Sequence, residues 1–231
     1  MSDAVVFLPG MMCDARLFVP QIAALSATRP VMVAPLVGGD DFTELAQRIL
    51  QQAPPRFALA GLSMGGIAAM EVIRQAPERV TRLALMDTNP LAEAPERARI
   101  RDDQIDRVIA GGLAEVIRDD MKPHYLADGP DRRALLDLCM AMALALGPDV
   151  FVAQSRALQT RPDQCDTLRG VRVPTLILCG TEDRLCPPER HHMMHELVPG
   201  AALTMIDAAG HMPTIEQPTL TNEALQKWLI M

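Results

Sequence analysis

The chain contains a serine whose surroundings are typical of a catalytic nucleophile. Ser63 lies in the segment Gly61-Leu62-Ser63-Met64-Gly65. A serine hydroxyl becomes reactive when a sharp turn exposes it beside a base, and flanking glycines permit such a turn because side chains there would clash with neighbouring backbone. The pattern is short and also occurs by chance in glycine-rich loops, but a strand predicted before it and a helix predicted after it favour the nucleophile.

A nucleophilic serine needs a base, and we predict that His211 supplies it. Among the five histidines of the chain, His211 lies in a loop directly after the last predicted strand, between Gly210 and the pair Met212-Pro213. Glycine and proline restrict the shape of such a loop. The alternative is an unremarkable histidine solvated at the surface.

The third member of a relay is a carboxylate that accepts a hydrogen bond from the histidine and fixes its tautomer. Asp183 is the leading candidate, because it follows the predicted strand Thr175 to Cys179 and gives the chain order serine, aspartate, histidine. Glu182 is adjacent to it, and Asp87 ends another predicted strand. Both are rival candidates.

The elements that must position these residues alternate between short aliphatic runs and stretches of helical length. This alternation is typical of βαβ crossovers and predicts an α/β fold with a mostly parallel sheet flanked by helices. We predict six strands, at residues 4–8, 31–34, 57–62, 80–86, 175–179 and 203–206, with a first helix at 16–26 and a last helix at 220–229. Residues 91–170 show only helical periodicity, so they are predicted to form a helical insertion over the strand ends, where ligands bind in such sheets.

Composition excludes several classes of function. The 231 residues carry a formal net charge of −7 without a local run of Lys and Arg, which disfavours a nucleic-acid partner. The five cysteines are scattered without a C-x-x-C pair, and Asp3 stands where an export signal would be basic, so we expect a cytoplasmic protein with reduced thiols. No apolar run approaches the roughly 18 residues that a membrane span requires.

Four motifs in order resemble the α/β-hydrolase fold superfamily, in particular its small capped serine esterases. They are Leu8-Pro9-Gly10, the segment 61–65, the segment 180–183 and Gly210-His211. The resemblance covers nearly the whole chain and implies a hydrolase core at 1–90 and 171–231 with a helical cap at 91–170. It also implies an oxyanion hole formed by the backbone N–H groups of Met11 and Met64. The chain departs from the family pattern in two features, Pro9 where histidine is usual and a missing N-terminal hairpin.

These residues predict a serine hydrolase that cleaves the carboxylic ester of a small, largely apolar molecule through an acyl-enzyme, without a cofactor or a metal. Met12, Met140 and Met212 are predicted to line the substrate pocket, since methionine fills irregular apolar space. The same triad supports lactone opening, thioester cleavage and carbon–carbon bond hydrolysis. A non-catalytic protein that binds a small ligand is the alternative from another class. The sequence does not indicate an oligomeric state.

Two further patterns have an ordinary interpretation beside a functional one. His191 and His195 are four residues apart on a predicted helix and would share a face, as metal ligands do, but a solvated face is the more common outcome. Arg97, Arg99 and Arg101 alternate in the helical insertion and could attract a carboxylate on the substrate, although a solvated face is again more common.

Overall fold

Six parallel strands form one sheet in the computed structural model, which describes residues 3–231. Met1 and Ser2, with which the predicted core begins, lie outside the described residues. The strand order is β2-β1-β3-β4-β5-β6. The strands are β1 (Ala4–Leu8), β2 (Val31–Val33), β3 (Phe57–Leu62), β4 (Val80–Met86), β5 (Thr175–Gly180) and β6 (Ala202–Ile206).

Helices connect and cover these strands. In chain order they are α1 (Val19–Leu25), α2 (Phe42–Gln52), α3 (Met64–Gln75), α4 (Pro95–Ile109), α5 (Leu113–Glu115), α6 (Arg132–Leu146), α7 (Pro148–Gln159), α8 (Cys165–Gly170), α9 (Pro188–Leu197), α10 (Pro213–Glu216) and α11 (Pro218–Leu229). Short 3₁₀ turns add Ala15–Phe18, Pro77–Arg79 and Lys122–His124, and a π-helical turn spans Val116–Met121.

The sheet is covered on both faces, which explains its continuous apolar strands. Every residue of β3 and of β5 is buried. Alternate side chains enter two separate cores, so that Leu59 packs with the cluster on one face and Ala60 with the cluster on the other. A strand buried on both faces reads as an unbroken hydrophobic run. The register pairs Leu8 with Gly61 and Met86 with Leu178, which brings the carboxyl ends of four strands to one edge.

Between β4 and β5 the described chain is helical or irregular, as the periodicity of residues 91–170 predicts. Helix α7 packs against α4 and α6. Gly147 separates α6 from α7 with φ of +83°, a conformation that glycine adopts without a steric cost. This helical segment lies at the sheet edge, because the carbonyl of Tyr125 accepts a hydrogen bond from the His211 N–H at 2.8 Å.

The predicted fold class is confirmed, and the predicted strands agree with the observed ones to within one residue at each end. Two helix predictions need correction. The single helix predicted over 16–26 is a 3₁₀ turn followed by α1, and Pro20 at the start of α1 marks the break. The last helix begins at Pro218 rather than Leu220, because proline is well accepted in the first turn.

No single helix within residues 3–231 is long and apolar enough to cross a membrane, and the pair α6 and α7 meets the length and composition requirements only jointly, across a bend of 97°.

Candidate active site

Ser63 lies on a strained turn between β3 and α3. Its backbone has φ of +54° and ψ of −116°, a region that residues with a Cβ rarely occupy. A Cβ on Gly61 would overlap the backbone of Gly65, and a Cβ on Gly65 would overlap the Leu8 carbonyl. Both glycines of the motif are therefore required by close backbone approach. The turn is held by hydrogen bonds from the Ser63 N–H to the Met86 carbonyl at 2.9 Å and from the Thr88 hydroxyl to the Ser63 carbonyl at 2.7 Å.

The structure brings the three residues predicted for the relay together. His211 Nε2 lies 2.8 Å from Ser63 Oγ, and His211 Nδ1 lies 2.8 Å from Asp183 Oδ2. The three side chains come from loops after β3, β5 and β6, at the carboxyl edge of the sheet. His211 and Asp183 are each only 3% exposed, whereas Ser63 is half-buried and faces the cavity described below. In this geometry the serine proton can move to the imidazole while the carboxylate holds the ring.

Asp183 is fixed as an anion by its surroundings. Its second oxygen, Oδ1, accepts hydrogen bonds from the N–H groups of Leu185 at 2.8 Å and Cys186 at 3.0 Å. Burial raises the pKa of Asp183, but the charge and hydrogen bond of His211 and these two amides outweigh burial and leave the pKa below its ordinary value. An ionised carboxylate in this position favours a protonated His211 during the reaction.

Met11 and Met64, whose N–H groups are predicted to form the oxyanion hole, line the same cavity as Ser63. Met64 is the first residue of α3, and Met11 follows Gly10 in the loop after β1. Within residues 3–231 neither N–H donates a hydrogen bond to another protein group, and both residues line the cavity. Free amides at a helix N-terminus can stabilise developing negative charge on an oxygen. The Met11 loop is held by the adjacent Met12 N–H, which donates to Gln154 Oε1 at 2.8 Å.

The loop that carries His211 is organised by a residue that sequence reasoning missed. Glu216 Oε2 accepts from the N–H groups of Ala127 at 2.8 Å and Gly210 at 2.9 Å, and Oε1 accepts from the Met212 N–H at 2.9 Å. Burial raises the pKa of Glu216, while these three amides oppose the increase. The only sequence signal is a carboxylate in the short segment after the histidine, which is too common to identify such a role.

The two rival carboxylates occupy different environments. Glu182 is exposed. Asp87 is fully buried at the end of β4 and accepts a hydrogen bond from the Gly180 N–H at 2.8 Å. Burial, followed by the charge of Asp183, raises the pKa of Asp87 well above its ordinary value. Asp87 therefore holds its proton to a higher pH than Asp183 does.

Ser63 and His211 open onto a cavity of about 570 Å³ between the sheet edge and the helical segment. Met212 lines it, together with Met11 and Met64. The prediction for the other two methionines is wrong, because Met12 is buried in the core and Met140 packs against it. Neither residue lines the cavity. The position of Met12 beside Met11 in the sequence, and that of Met140 within residues 91–170, do not indicate this.

The histidine pair at 191 and 195 has separate environments. His191 is buried, its Nε2 accepts from the Thr88 N–H at 3.1 Å, and its Nδ1 lies 3.3 Å from the Pro187 carbonyl. His195 is exposed, as is His192. Burial, outweighing the Pro187 carbonyl, lowers the pKa of His191 to about 4. His191 therefore ties α9 to the end of β4 as a neutral side chain.

Comparisons with known proteins agree with the fold. The model of the alpha/beta hydrolase family matches residues 5–224. A pimeloyl-[acyl-carrier protein] methyl ester esterase from Klebsiella pneumoniae is 28% identical over 204 residues, which cover 81% of this chain and 75% of that protein. A putative carbamate hydrolase, RutD, from Yersinia enterocolitica is 25% identical over 100% of this chain and 88% of its own length.

A solved structure extends the likeness to three dimensions. A thermophilic esterase from Thermogutta terrifontis superposes with a TM-score of 0.91 at 26% sequence identity, over 100% of this chain and 90% of that one. Because the family model spans nearly all of the chain, the protein belongs to the alpha/beta hydrolase family.

Proposed function

We propose that the protein is a serine esterase in which Ser63 is the nucleophile, His211 the general base and acid, and Asp183 the residue that orients the imidazole. The observation that carries the proposal is the unbroken pair of 2.8 Å contacts from Asp183 through His211 to Ser63. Relatives named as esterases support the ester as substrate. The protein is thus a hydrolase that acts on ester bonds.

Acylation begins when Ser63 Oγ attacks the ester carbonyl and its proton passes to His211 Nε2. The carbonyl oxygen becomes negatively charged, and the N–H groups of Met11 and Met64 form the oxyanion hole that stabilises it. The bond to the alcohol oxygen then breaks, and His211 gives the proton to the leaving alcohol. The product of this half-reaction is an ester between Ser63 and the acyl group.

Deacylation repeats these steps with water. A water oxygen attacks the acyl carbon while His211 accepts a proton from that water. The N–H groups of Met11 and Met64 stabilise the second oxyanion. The bond to Ser63 Oγ breaks, the proton returns to the serine, and the carboxylic acid is released. Each proton that leaves Ser63 or water is thus restored by the end of the cycle.

Kinetics with short p-nitrophenyl esters test these roles. Ser63→Ala is expected to lower kcat by a factor on the order of 10⁵ to 10⁶ without loss of the folded state, since a triad without its nucleophile retains only binding and oxyanion stabilisation. Ser26→Ala, which changes an exposed serine after α1, is the matched control and is expected to behave like the wild type. Wild-type turnover in Ser63→Ala would refute the assignment.

We also propose that residues 91–170 act as a cap that shapes the substrate cavity. Support comes from the lining, to which this segment contributes Gln104, Met121 and Leu158 opposite Ser63. Lactones and thioesters would use the same relay, and a panel of esters, lactones and thioesters with equal acyl groups ranks these activities directly.

A cytoplasmic setting is part of the proposal. The five cysteines are free thiols, and burial raises the pKa of Cys139 to about 12, so this thiol resists both ionisation and oxidation. The net charge of −7 argues against anionic partners such as nucleic acids and membrane surfaces.

A further inference from the structure

The cavity beside Ser63 contains more positive than negative side chains, although the chain as a whole is acidic. Four arginines and two carboxylates line it: Arg97, Arg101, Arg161, Arg190, Glu93 and Asp120. The protein has a net charge of −7, so the excess of guanidinium groups beside the nucleophile is opposite in sign to the charge of the whole chain.

The two carboxylates do not neutralise the four arginines. Glu93, only 4% exposed at its side chain, bridges Arg101 at 2.7 Å and Arg161 at 3.2 Å, so one negative charge is shared by two positive ones. Asp120 is paired at 2.7 Å with Arg107, which is not part of the lining. Its charge is therefore satisfied outside the arginine group of the cavity.

The other two arginines lack an acidic partner. Within residues 3–231, neither Arg97 nor Arg190 forms an ion pair. Arg97 is exposed in the first turns of α4, and Arg190 is half-buried in α9. Burial lowers the pKa of Arg161, and the positive charges of Arg101 and Arg97 lower it further. The negative charge of Glu93 opposes this decrease but does not cancel it. The guanidinium groups of Arg97, Arg101 and Arg161 thus lie close enough to repel one another, a cost that a bound anion would reduce.

The arginine group is connected to the reacting centre. Arg101 Nη1 lies 3.6 Å from the sulfur of Met11, whose N–H we assign to the oxyanion hole. An anion bound by arginines of this group would therefore lie in the same cavity as the ester carbonyl.

We propose that the ester substrate carries an anionic oxygen group, a carboxylate or a phosphate, which Arg97 of α4 and Arg190 of α9 bind inside the cavity. The planar guanidinium fork matches both anions in bidentate geometry. The inference rests on the proposed serine esterase function and adds the chemical class of its substrate. The sequence alone predicts a largely apolar substrate. The inference replaces it by a substrate that has an apolar linker and a charged end.

A pair of esters with nearly equal shape tests the charge alone. Mono-(4-nitrophenyl) glutarate carries a terminal carboxylate, and 4-nitrophenyl 5-methylhexanoate replaces that carboxylate by an isopropyl group. We expect kcat/KM to be at least roughly tenfold higher for the glutarate ester at low ionic strength, and the ratio to fall as salt is added. Equal kcat/KM values for the two esters would overturn the inference.

Charge-removing variants locate the effect. Arg97→Gln and Arg190→Gln are each expected to lower the ratio of the two kcat/KM values by roughly threefold, and the double variant to bring it close to one. The matched control is Arg99→Gln, an exposed arginine of α4 outside the cavity lining, and its ratio is expected to stay at the wild-type value. An unchanged ratio in the double variant would contradict the assigned residues.

Two competing inhibitors distinguish the anions. Glutarate and glycerol phosphate, compared at constant ionic strength, are expected to inhibit hydrolysis of the glutarate ester, and the stronger one identifies the preferred group. If neither inhibits, the anion site is refuted. If instead neither ester is cleaved and Ser63 reacts with no serine-directed reagent, the esterase proposal itself fails, which is a separate result.

Discussion

Asp87 and Asp183 follow the neighbouring strands β4 and β5, and a carboxylate oxygen of each lies within 4.8 Å of the other and of the sulfur of Cys179. The pKa values of the two carboxyl groups are shifted in opposite directions. Asp183 binds His211 and two amides and has a lowered pKa, whereas Asp87 is buried behind it and has a raised pKa. Two carboxylates at this distance avoid sharing a double negative charge by keeping one proton. This difference in pKa distinguishes Asp183, which orients the imidazole, from Asp87, the rival candidate for that role.

Amide substitutions of the two aspartates should therefore have different effects on activity. Asp183→Asn is expected to lower kcat by roughly 10⁴-fold, because an amide favours the wrong imidazole tautomer. Asp87→Asn keeps a neutral side chain at a position where burial already disfavours the charged form, and it is expected to keep kcat within about tenfold of the wild type. Glu182→Gln serves as the exposed control. Equal losses in the two aspartate variants would show that the relay uses both.

The raised pKa of Asp87 also predicts a dependence of stability on pH. The unfolded chain loses this proton near the ordinary aspartate pKa of 3.8, whereas the folded protein retains it to higher pH. The contribution of Asp87 to the free energy of unfolding is thus full below that pKa and decreases as pH rises. Asp87→Asn should remove this decrease, so that the variant gains stability relative to the wild type between pH 4 and pH 8 in urea titrations. A constant difference across that range would contradict a protonated Asp87.

His191 predicts the opposite trend at lower pH. Its pKa falls from 6.5 to about 4 on folding, so the unfolded chain binds the proton first and stability falls as pH drops from 6.5 towards 4. The shift corresponds to about 3 kcal/mol. His191→Gln should lose less stability than the wild type across this window, measured by urea unfolding at several pH values. The exposed neighbour gives the control His192→Gln, which should follow the wild type.

The turn at Ser63 should tolerate no side chain at Gly65. A Cβ there would overlap the Leu8 backbone, so Gly65→Ala is expected to lower the free energy of unfolding by about 1 to 3 kcal/mol or more and to displace Ser63. Gly129→Ala places its Cβ in open space and is the matched control. Circular dichroism with thermal unfolding measures the first effect, and ester turnover the second. A Gly65→Ala protein with wild-type stability would show that the backbone can move apart at low cost.

Much of the fold is predictable because its signals are local. The sequence predicts the strands at 57–62 and 80–86 with their observed ends, since each is an aliphatic run bounded by Pro, Gly or a polar residue. The predicted relay also depends on local signals, because parallel strands bring their carboxyl ends to one edge and so place the loops after 62, 180 and 206 together.

The remaining features depend on contacts between distant segments. Glu216 binds the Ala127 N–H across 89 positions, and Gln154 binds the Met12 N–H across 142. No spacing rule within a helix or strand links such residues. The sequence indicates Arg97 and Arg101 as possible partners of a substrate carboxylate, but their grouping with Arg161 and Arg190 depends on how residues 91–170 pack on the rest of the chain.

Covalent labelling at Ser63 tests the central claim most directly. The folded protein is incubated with a fluorophosphonate, and the modified residue is identified by peptide mass spectrometry, with His211→Ala in parallel. The relay predicts one phosphonylated residue, Ser63, and labelling slowed by orders of magnitude in His211→Ala, since the serine then lacks its base. An unlabelled Ser63 in the folded wild-type protein, or equal labelling rates in the two proteins, would contradict the account.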